Sequence, residues 1–172
     1  MAKVLEVNDL RVYFHTPSGP VKAVDGINFS LEPGERFGLV GESGSGKTTT
    51  ALALMRLIKK PGKIESGEII VDQKDLLSLS ETEMRETRFS EISMIPQGAM
   101  NSLNPVMKIG EQLKDTLKAH KKYSGNKTHS KNEYHSIISS LLFSVGLEND
   151  VSKMYPHELS GGMKQRVTIA MG

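Results

Sequence analysis

The stretch Gly41-Glu-Ser-Gly-Ser-Gly-Lys47-Thr48 constrains this chain more than any other. It satisfies G-x-x-x-x-G-K-[S/T] in full, and each fixed position has a physical reason. Glycines let successive backbone N–H groups turn inward as an anion-binding nest and bring the main chain close to phosphate. Gly41, Ser43, Gly44, Ser45, Gly46, Lys47, Thr48 and Thr49 are therefore the candidate phosphate-binding residues. Lys47 is suited to the β- and γ-phosphates and the Thr48 hydroxyl to Mg²⁺, while a following helix would aim its positive end at the anion. The flanks agree with this. Phe37–Val40 reads as a short apolar strand, and Thr48–Ile58 as a helix, apolar nearly all round and buried on several sides, that Pro61-Gly62 ends. The pattern predicts binding of a nucleoside triphosphate. It does not separate kinases, GTPases, motor ATPases and transport ATPases, but the Asn-Lys-x-Asp base reader of GTPases is missing: Asn126-Lys127 is followed by Thr128-His129.

Upstream of the loop the chain is β-rich. Val4–Val7 and Leu10–Phe14 carry β-branched and aromatic residues, Thr16–Gly19 is a turn, and Val21–Leu31 is extended with a break at Asp25-Gly26. Glu32-Pro33-Gly34-Glu35 is a second turn. Downstream, Glu68–Val71 and Ile92–Ile95 are strand candidates on either side of a short polar helix near Ser80–Arg88. From Lys108 onward the pattern is helical, with helices over Ile109–Lys121 and Asn132–Val145, the latter ended by Gly146. The Lys-rich stretch between them, Lys121–Asn132, reads as a solvated loop. A chain of 172 residues supports one domain with a sizeable core, or one domain plus a small subdomain. A net charge of +2 gives no argument for nucleic acid, and the absence of cysteine excludes disulfides and thiolate metal sites within these residues. No apolar stretch approaches the roughly 18 residues of a membrane helix.

Leu159-Ser160-Gly161-Gly162-Met163-Lys164-Gln165-Arg166 is the second informative motif. Ser160 is suited to cap a helix, and Gly161 and Gly162 leave its first N–H groups unobstructed for an anion. The string resembles the signature sequence of the ATP-binding cassette (ABC) ATPases. Together with the phosphate loop it implies ATP and Mg²⁺ as the bound species. The family's fold is then the expectation: an α/β P-loop NTPase core with an N-terminal antiparallel β subdomain and an α-helical subdomain. The resemblance assigns Gln97 to the Q-loop glutamine, which senses the γ-phosphate and Mg²⁺, so Lys47 and Gln97 are the candidate catalytic residues and Thr48 and Gln97 the metal-contacting ones. Phe14 stands where the family has the aromatic that stacks on adenine, with Tyr13 as its rival and core packing as the alternative for either. Ala23-Val-Asp-Gly26, Ser102-Leu-Asn-Pro105 and Tyr155-Pro-His-Glu-Leu-Ser-Gly-Gly162 are most similar to the oligopeptide, dipeptide and nickel importer ATPases. Gly98-Ala99 departs from the Asp-Pro common after that glutamine.

The resemblance divides the chain at residue 105, with residues 1–105 as β-rich and nucleotide-binding and residues 106–172 as the helical subdomain bearing the signature. It also implies a continuation, because the family's Walker B carboxylates, D-loop and switch histidine follow the signature helix. With no catalytic Glu of Walker B, these residues are expected to bind ATP with little or no hydrolysis, as a fragment of a longer protein or a natural truncation. His157 precedes the signature and is not the switch histidine. The implied partners are a second ABC ATPase subunit, identical or paralogous, membrane permease subunits and, indirectly, a solute-binding protein, at the cytoplasmic face of a prokaryotic membrane. Ser160–Gly162 would face the phosphate held by the second subunit. Two alternatives from other classes are an ABC-type ATPase acting on nucleic acid or the ribosome, and a non-hydrolysing nucleotide-binding module.

Overall fold

The computed structural model describes residues 3–95, 98, 102–119 and 130–172. Its two compact units are Met1–Ile92 and Ser93–Gly172, a division upstream of the 105/106 boundary drawn from the motifs.

The first unit is built on one antiparallel sheet of four strands, β1 (Leu5–Thr16), β2 (Gly19–Leu31), β3 (Gly62–Val71) and β4 (Lys74–Asp75), in the order β2-β1-β3-β4. Thr16–Gly19 makes the β1–β2 hairpin, closed by the Thr16 hydroxyl donating to Gly19 O at 2.7 Å. β2 runs unbroken through Asp25-Gly26. The register passes from Leu10↔Ile27 to Arg11↔Asp25, so Gly26, at φ 77°, is a bulge rather than a break. Opposite, a Cβ on Gly67 would stand 2.6 Å from Leu10 Cα, and β1 can approach β3 only because none is there. Val7, Leu10, Val12, Ile69, Leu76 and Met84 form the buried core of this unit.

Two strand expectations are corrected. Phe37–Val40 is not a strand. A strand exists through hydrogen bonds to a neighbour, and among the described residues the only sheet is the antiparallel one, which this segment does not join. Val40 is 90% exposed, while Phe37 stacks on Phe29 with centroids 5.1 Å apart. Ile92–Ile95 likewise makes a single bridge, between Arg88 and Ile92. The expected helix over Thr48–Ile58 is α1, Lys47–Leu54. It stops before Pro61-Gly62 because Arg56 turns left-handed at φ 49°, with Arg56 N donating to Ala53 O and Leu57 N to Leu52 O. Only Thr50 and Ala53 within α1 are buried, fewer than its apolar composition suggests. The polar helix α2 (Glu81–Thr87) forms as expected, with Ser80 and Glu83 in a reciprocal capping box.

The second unit is helical: α3 (Ile109–Ala119), α4 (Lys131–Ser144) and α5 (Gly161–Met171), with 3₁₀ turns at Asn149–Lys153 and Pro156–Glu158. Ser130 caps α4 through a capping box with Glu133, and Gly146 follows its end at φ 70°. Ile109, Leu113, Tyr134, Ile138, Leu142, Leu159 and Val167 converge on one core. No helix among the described residues is long and apolar enough to cross a membrane.

Candidate functional site

The phosphate loop lies between an exposed segment and a helix N-terminus. Gly46, at φ 87°, is the N-cap of α1 and offers no side chain to the helix; the first turn holds no acidic residue. The first N–H that turns back into the helix is Thr50 N, to Gly46 O at 2.8 Å. Ser45 N is engaged by Glu42 O (3.2 Å), while the N–H groups of residues 46–49 are available to an anion, at the end where the helix dipole favours one. A Cβ on Gly46 would collide with Ala23 O of β2, so the sheet itself sets where α1 begins. Gly44, at φ 84°, has nothing within 4 Å of where a Cβ would be.

Lys47 spans the loop. Its ammonium donates to Gly41 O (2.7 Å), Glu42 O (2.6 Å) and Ser45 Oγ (3.1 Å). All three acceptors are uncharged and no carboxylate among the described residues neutralises the cation, so exchanging them for phosphate oxygens adds an ion pair to the hydrogen bonds. Thr48 presents an exposed hydroxyl on the same turn. An oxygen donor beside phosphate oxygens is the chemistry Mg²⁺ takes, and among the described residues no cluster of three or more His, Asp or Glu offers another metal site. Gln97 lies outside the described residues.

In the second unit, Ser160 caps α5, its Oγ accepting from Met163 N at 3.3 Å. Gly161 and Gly162 are exposed, with open space where a Gly162 Cβ would stand. Leu159, 6% exposed, anchors the start of the motif, and Arg166 ties α5 to the turn after α4 by donating to Gly146 O at 3.0 Å. Glu158, the acid nearest the signature, spends its carboxylate on Tyr155 N at 2.6 Å.

The two aromatic candidates occupy opposite faces of β1. Phe14 packs with the sheet core and lies over Gly62, where an added Cβ would meet its ring at 2.7 Å. Tyr13 donates its hydroxyl to Asp25 at 2.5 Å, with Lys22 Nζ 5.3 Å from its ring centroid. That bond, with Lys22 beside it, holds the Asp25 carboxyl below its ordinary range.

One organising residue was missed from sequence. Gln112 accepts from Asn104 N (2.9 Å) and donates to Asn104 O (3.0 Å) and Met107 O (2.9 Å), while Asn104 Oδ1 accepts from Val106 N (3.1 Å). This clasp explains Ser102-Leu-Asn-Pro105: Leu103 is buried, Asn104 is pinned and Val106 is held outward, 79% exposed. Its signal was legible, because Gln112 shares the apolar face of Ile109, Leu113 and Leu117.

A Walker-type loop opening a helix, beside an antiparallel sheet and followed by a helical unit with a Ser-Gly-Gly helix start, defines a P-loop NTPase of the cassette type. The chain belongs to the ABC transporter family, whose model matches residues 24–172. It is 48% identical over 168 residues to the oligopeptide transport ATP-binding protein OppD of Salmonella typhimurium, covering 98% of this chain and 49% of that protein. It is 44% identical over 172 residues to the dipeptide transport ATP-binding protein DppD of Bacillus subtilis, covering 99% of this chain and 50% of that one. The chain thus spans about half the length of these curated relatives. Among solved structures, the dimeric MJ0796 cassette, described as a bacterial ABC transporter cassette, superimposes with a TM-score of 0.81 at 23% identity, over 97% of this chain and 68% of that one, a likeness of fold.

Proposed function

We propose that this chain is the nucleotide-binding portion of an ABC importer ATPase that, in its complete form, couples ATP binding and hydrolysis to uptake of peptides or a related solute. The observation that carries the reading is Lys47, a cation held only by uncharged acceptors at an uncapped helix N-terminus. The names of its relatives, transport ATP-binding proteins for oligopeptides and dipeptides, support the solute class.

In this reading the backbone N–H groups of residues 41–49, with Lys47, hold the β- and γ-phosphates. Thr48 and Gln97 hold Mg²⁺, which supplies charge neutralisation on the phosphate oxygens. Phe14 stacks on adenine through what remains of its exposed ring. Gly161 and Gly162, with Ser160, complete the cage around a nucleotide held by a second cassette. The assembly docks on permease subunits at the cytoplasmic face of the membrane. Closure of the cassette pair is then driven by nucleotide that binds the closed state better. A role on nucleic acid or the ribosome is not favoured.

Hydrolysis needs a group that orients water. Lys47, Thr48 and Gln97 do not supply one, and Glu158 is engaged by Tyr155 N. The residues of this chain alone therefore bind ATP and release phosphate slowly or not at all. Two measurements test the reading. Lys47→Ala abolishes binding of a fluorescent ATP analogue, and retained affinity refutes the loop assignment. Steady-state phosphate release by the chain at the rate of a whole cassette refutes the account of hydrolysis.

A further inference from the structure

The far end of α1 is held by two guanidinium groups that the phosphate chemistry does not use. Arg56 occupies the left-handed position after the helix, where glycine is the favoured residue, and its backbone closes the last turn as already described. Its side chain returns across the unit: Nη1 donates to Leu76 O (3.0 Å) and Leu79 O (2.6 Å), and Nη2 pairs with Glu81 at 2.8 Å. Arg88, at the end of α2, closes the end from the other side. Its Nε donates to Met55 O (3.0 Å) and its Nη2 to Arg56 O (3.3 Å). The carbonyls of Met55 and Arg56, just past the C-terminal end of α1, thus find their donors in one side chain, and the residue that ends the helix is bolted to the connection between β4 and α2.

We infer that Arg56 and Arg88 are positioning residues for nucleotide binding, fixing the C-terminal end of α1 so that the phosphate-facing end is preorganised. The inference rests on reading residues 41–48 as a phosphate site. α1 has eight residues, a length at which an isolated helix does not persist. Its N-terminus has no side-chain cap; Ala53 and Leu54 pack it on the sheet core along one side, and the two arginines fix its C-terminal end. A tilt at one end of a rod about 12 Å long displaces the other, where Lys47 and the free N–H groups must meet phosphate oxygens within hydrogen-bonding range. The Arg88 guanidinium also sits at the negative end of the helix dipole, which reinforces rather than opposes an anion at the positive end.

The experiment uses the full chain and three variants, Arg56→Gly, Arg88→Gln and Arg88→Lys. Three readouts are taken: thermal midpoint, amide hydrogen exchange without nucleotide, and affinity for a fluorescent ATP analogue. Glycine adopts the left-handed position freely, so Arg56→Gly loses the tether without backbone strain; its midpoint falls by what the orphaned Leu76 and Leu79 carbonyls cost, and the exchange pattern separates that local loss from a general one. Its affinity falls about tenfold, the scale of a displacement well under 1 Å at a preorganised site. Its α1 amides exchange faster while those of β1 and β3 do not change. Arg88→Lys behaves as Arg88→Gln, because one ammonium does not reproduce the planar two-nitrogen fork. Wild-type affinity in Arg56→Gly, or full rescue by Arg88→Lys, overturns the inference. So does exchange that accelerates equally throughout the sheet, which marks a general structural role. A wild-type chain that binds no nucleotide refutes the phosphate-site reading and the inference with it; wild-type binding with unaffected variants refutes the inference alone.

Discussion

The contact between Gly46 and β2 gives the sharpest test of how the phosphate loop is built. Gly44 and Gly46 share nearly the same left-handed backbone, φ 84° and 87°, so alanine at either imposes the same conformational cost, about 1–2 kcal/mol. Their surroundings differ completely. At Gly44 the added methyl meets nothing within 4 Å; at Gly46 it lies inside the 3.0 Å that real Cβ atoms keep, against the backbone carbonyl of Ala23, with Val24 Cγ2 at 3.5 Å. Ala23 stands at the register shift of β2, between the Val24↔Val12 and Lys22↔Tyr13 pairs, and its carbonyl, being main chain, moves only with the strand. Relief requires α1 or β2 to move, an overpacking cost of about 1–3 kcal/mol beyond the conformational one. Gly46→Ala is therefore destabilised by about 2–5 kcal/mol against about 1–2 for Gly44→Ala. At 2–4 °C per kcal/mol for a chain of this size, the two melting midpoints differ by about 2–12 °C. Calorimetry or circular dichroism melts of the two variants, side by side, give the comparison. Equal midpoints refute the claim that the sheet sets the start of α1, and with it the account of why residue 46 is glycine.

The other consequences lie away from the loop. Gln112→Leu leaves Asn104 N and Met107 O without their partner and Asn104 O with Met107 N alone, at about 1–3 kcal/mol for each orphaned group that water cannot reach. Hydrogen exchange across residues 102–108 should accelerate, and unchanged protection there removes the clasp. Asp25, held below its ordinary value by the Tyr13 hydroxyl and then Lys22, stabilises the fold above the unfolded carboxylate pKa of about 4; that stabilisation is lost as pH falls through the folded value. Asp25→Asn should accordingly flatten the acid limb of a midpoint-versus-pH curve, and an identical limb counts against the assignment. Gly162→Ala places a methyl in open space near the start of α5, where alanine raises helix propensity by up to about 1 kcal/mol. The chain should melt no lower and bind ATP as before; weakened binding by the single chain contradicts the view that this end serves another molecule's nucleotide.

What was readable in advance was what local chemistry decides. The cap at Ser160 and the polar helix from Ser80 follow from a hydroxyl that can accept a backbone N–H, and both form, while the helix expected from Asn132 begins a residue earlier, at Lys131 behind Ser130. Gly146 ends α4 and Thr16–Gly19 turns the first hairpin for equally local reasons. What depended on distant partners was less readable. Phe37–Val40 has the composition of a strand, but hydrogen bonds to a neighbour make a strand, and composition does not say whether one is present. Arg56 shows the same limit from the other side. Nothing nearby marks an arginine as a left-handed helix stop, because its compensation comes from Leu76, Leu79 and Glu81, twenty or more residues away. The loop was recognisable from its glycines, whereas the reason Gly46 cannot be replaced lies in β2.

The two helix ends offered to phosphate are equipped unequally, and the inequality bears on their division of labour. At α1 the N-cap is a glycine without a side chain, no acid stands in the first turn, and Lys47 adds a full positive charge a few ångströms away. At α5 the cap is Ser160, whose hydroxyl already takes Met163 N, while Lys164 N returns to Ser160 O. What remains there is the N–H of Gly161 and of Gly162, with the partial charge of the helix end behind them. An end of that kind is too weak to recruit a triphosphate from solution. It can still add directional bonds to a phosphate whose charge another loop has mostly neutralised. In the proposed function the first end captures the nucleotide and the second completes its cage. That inequality fits the proposed pairing of cassettes, in which each lends its signature end to the nucleotide of the other.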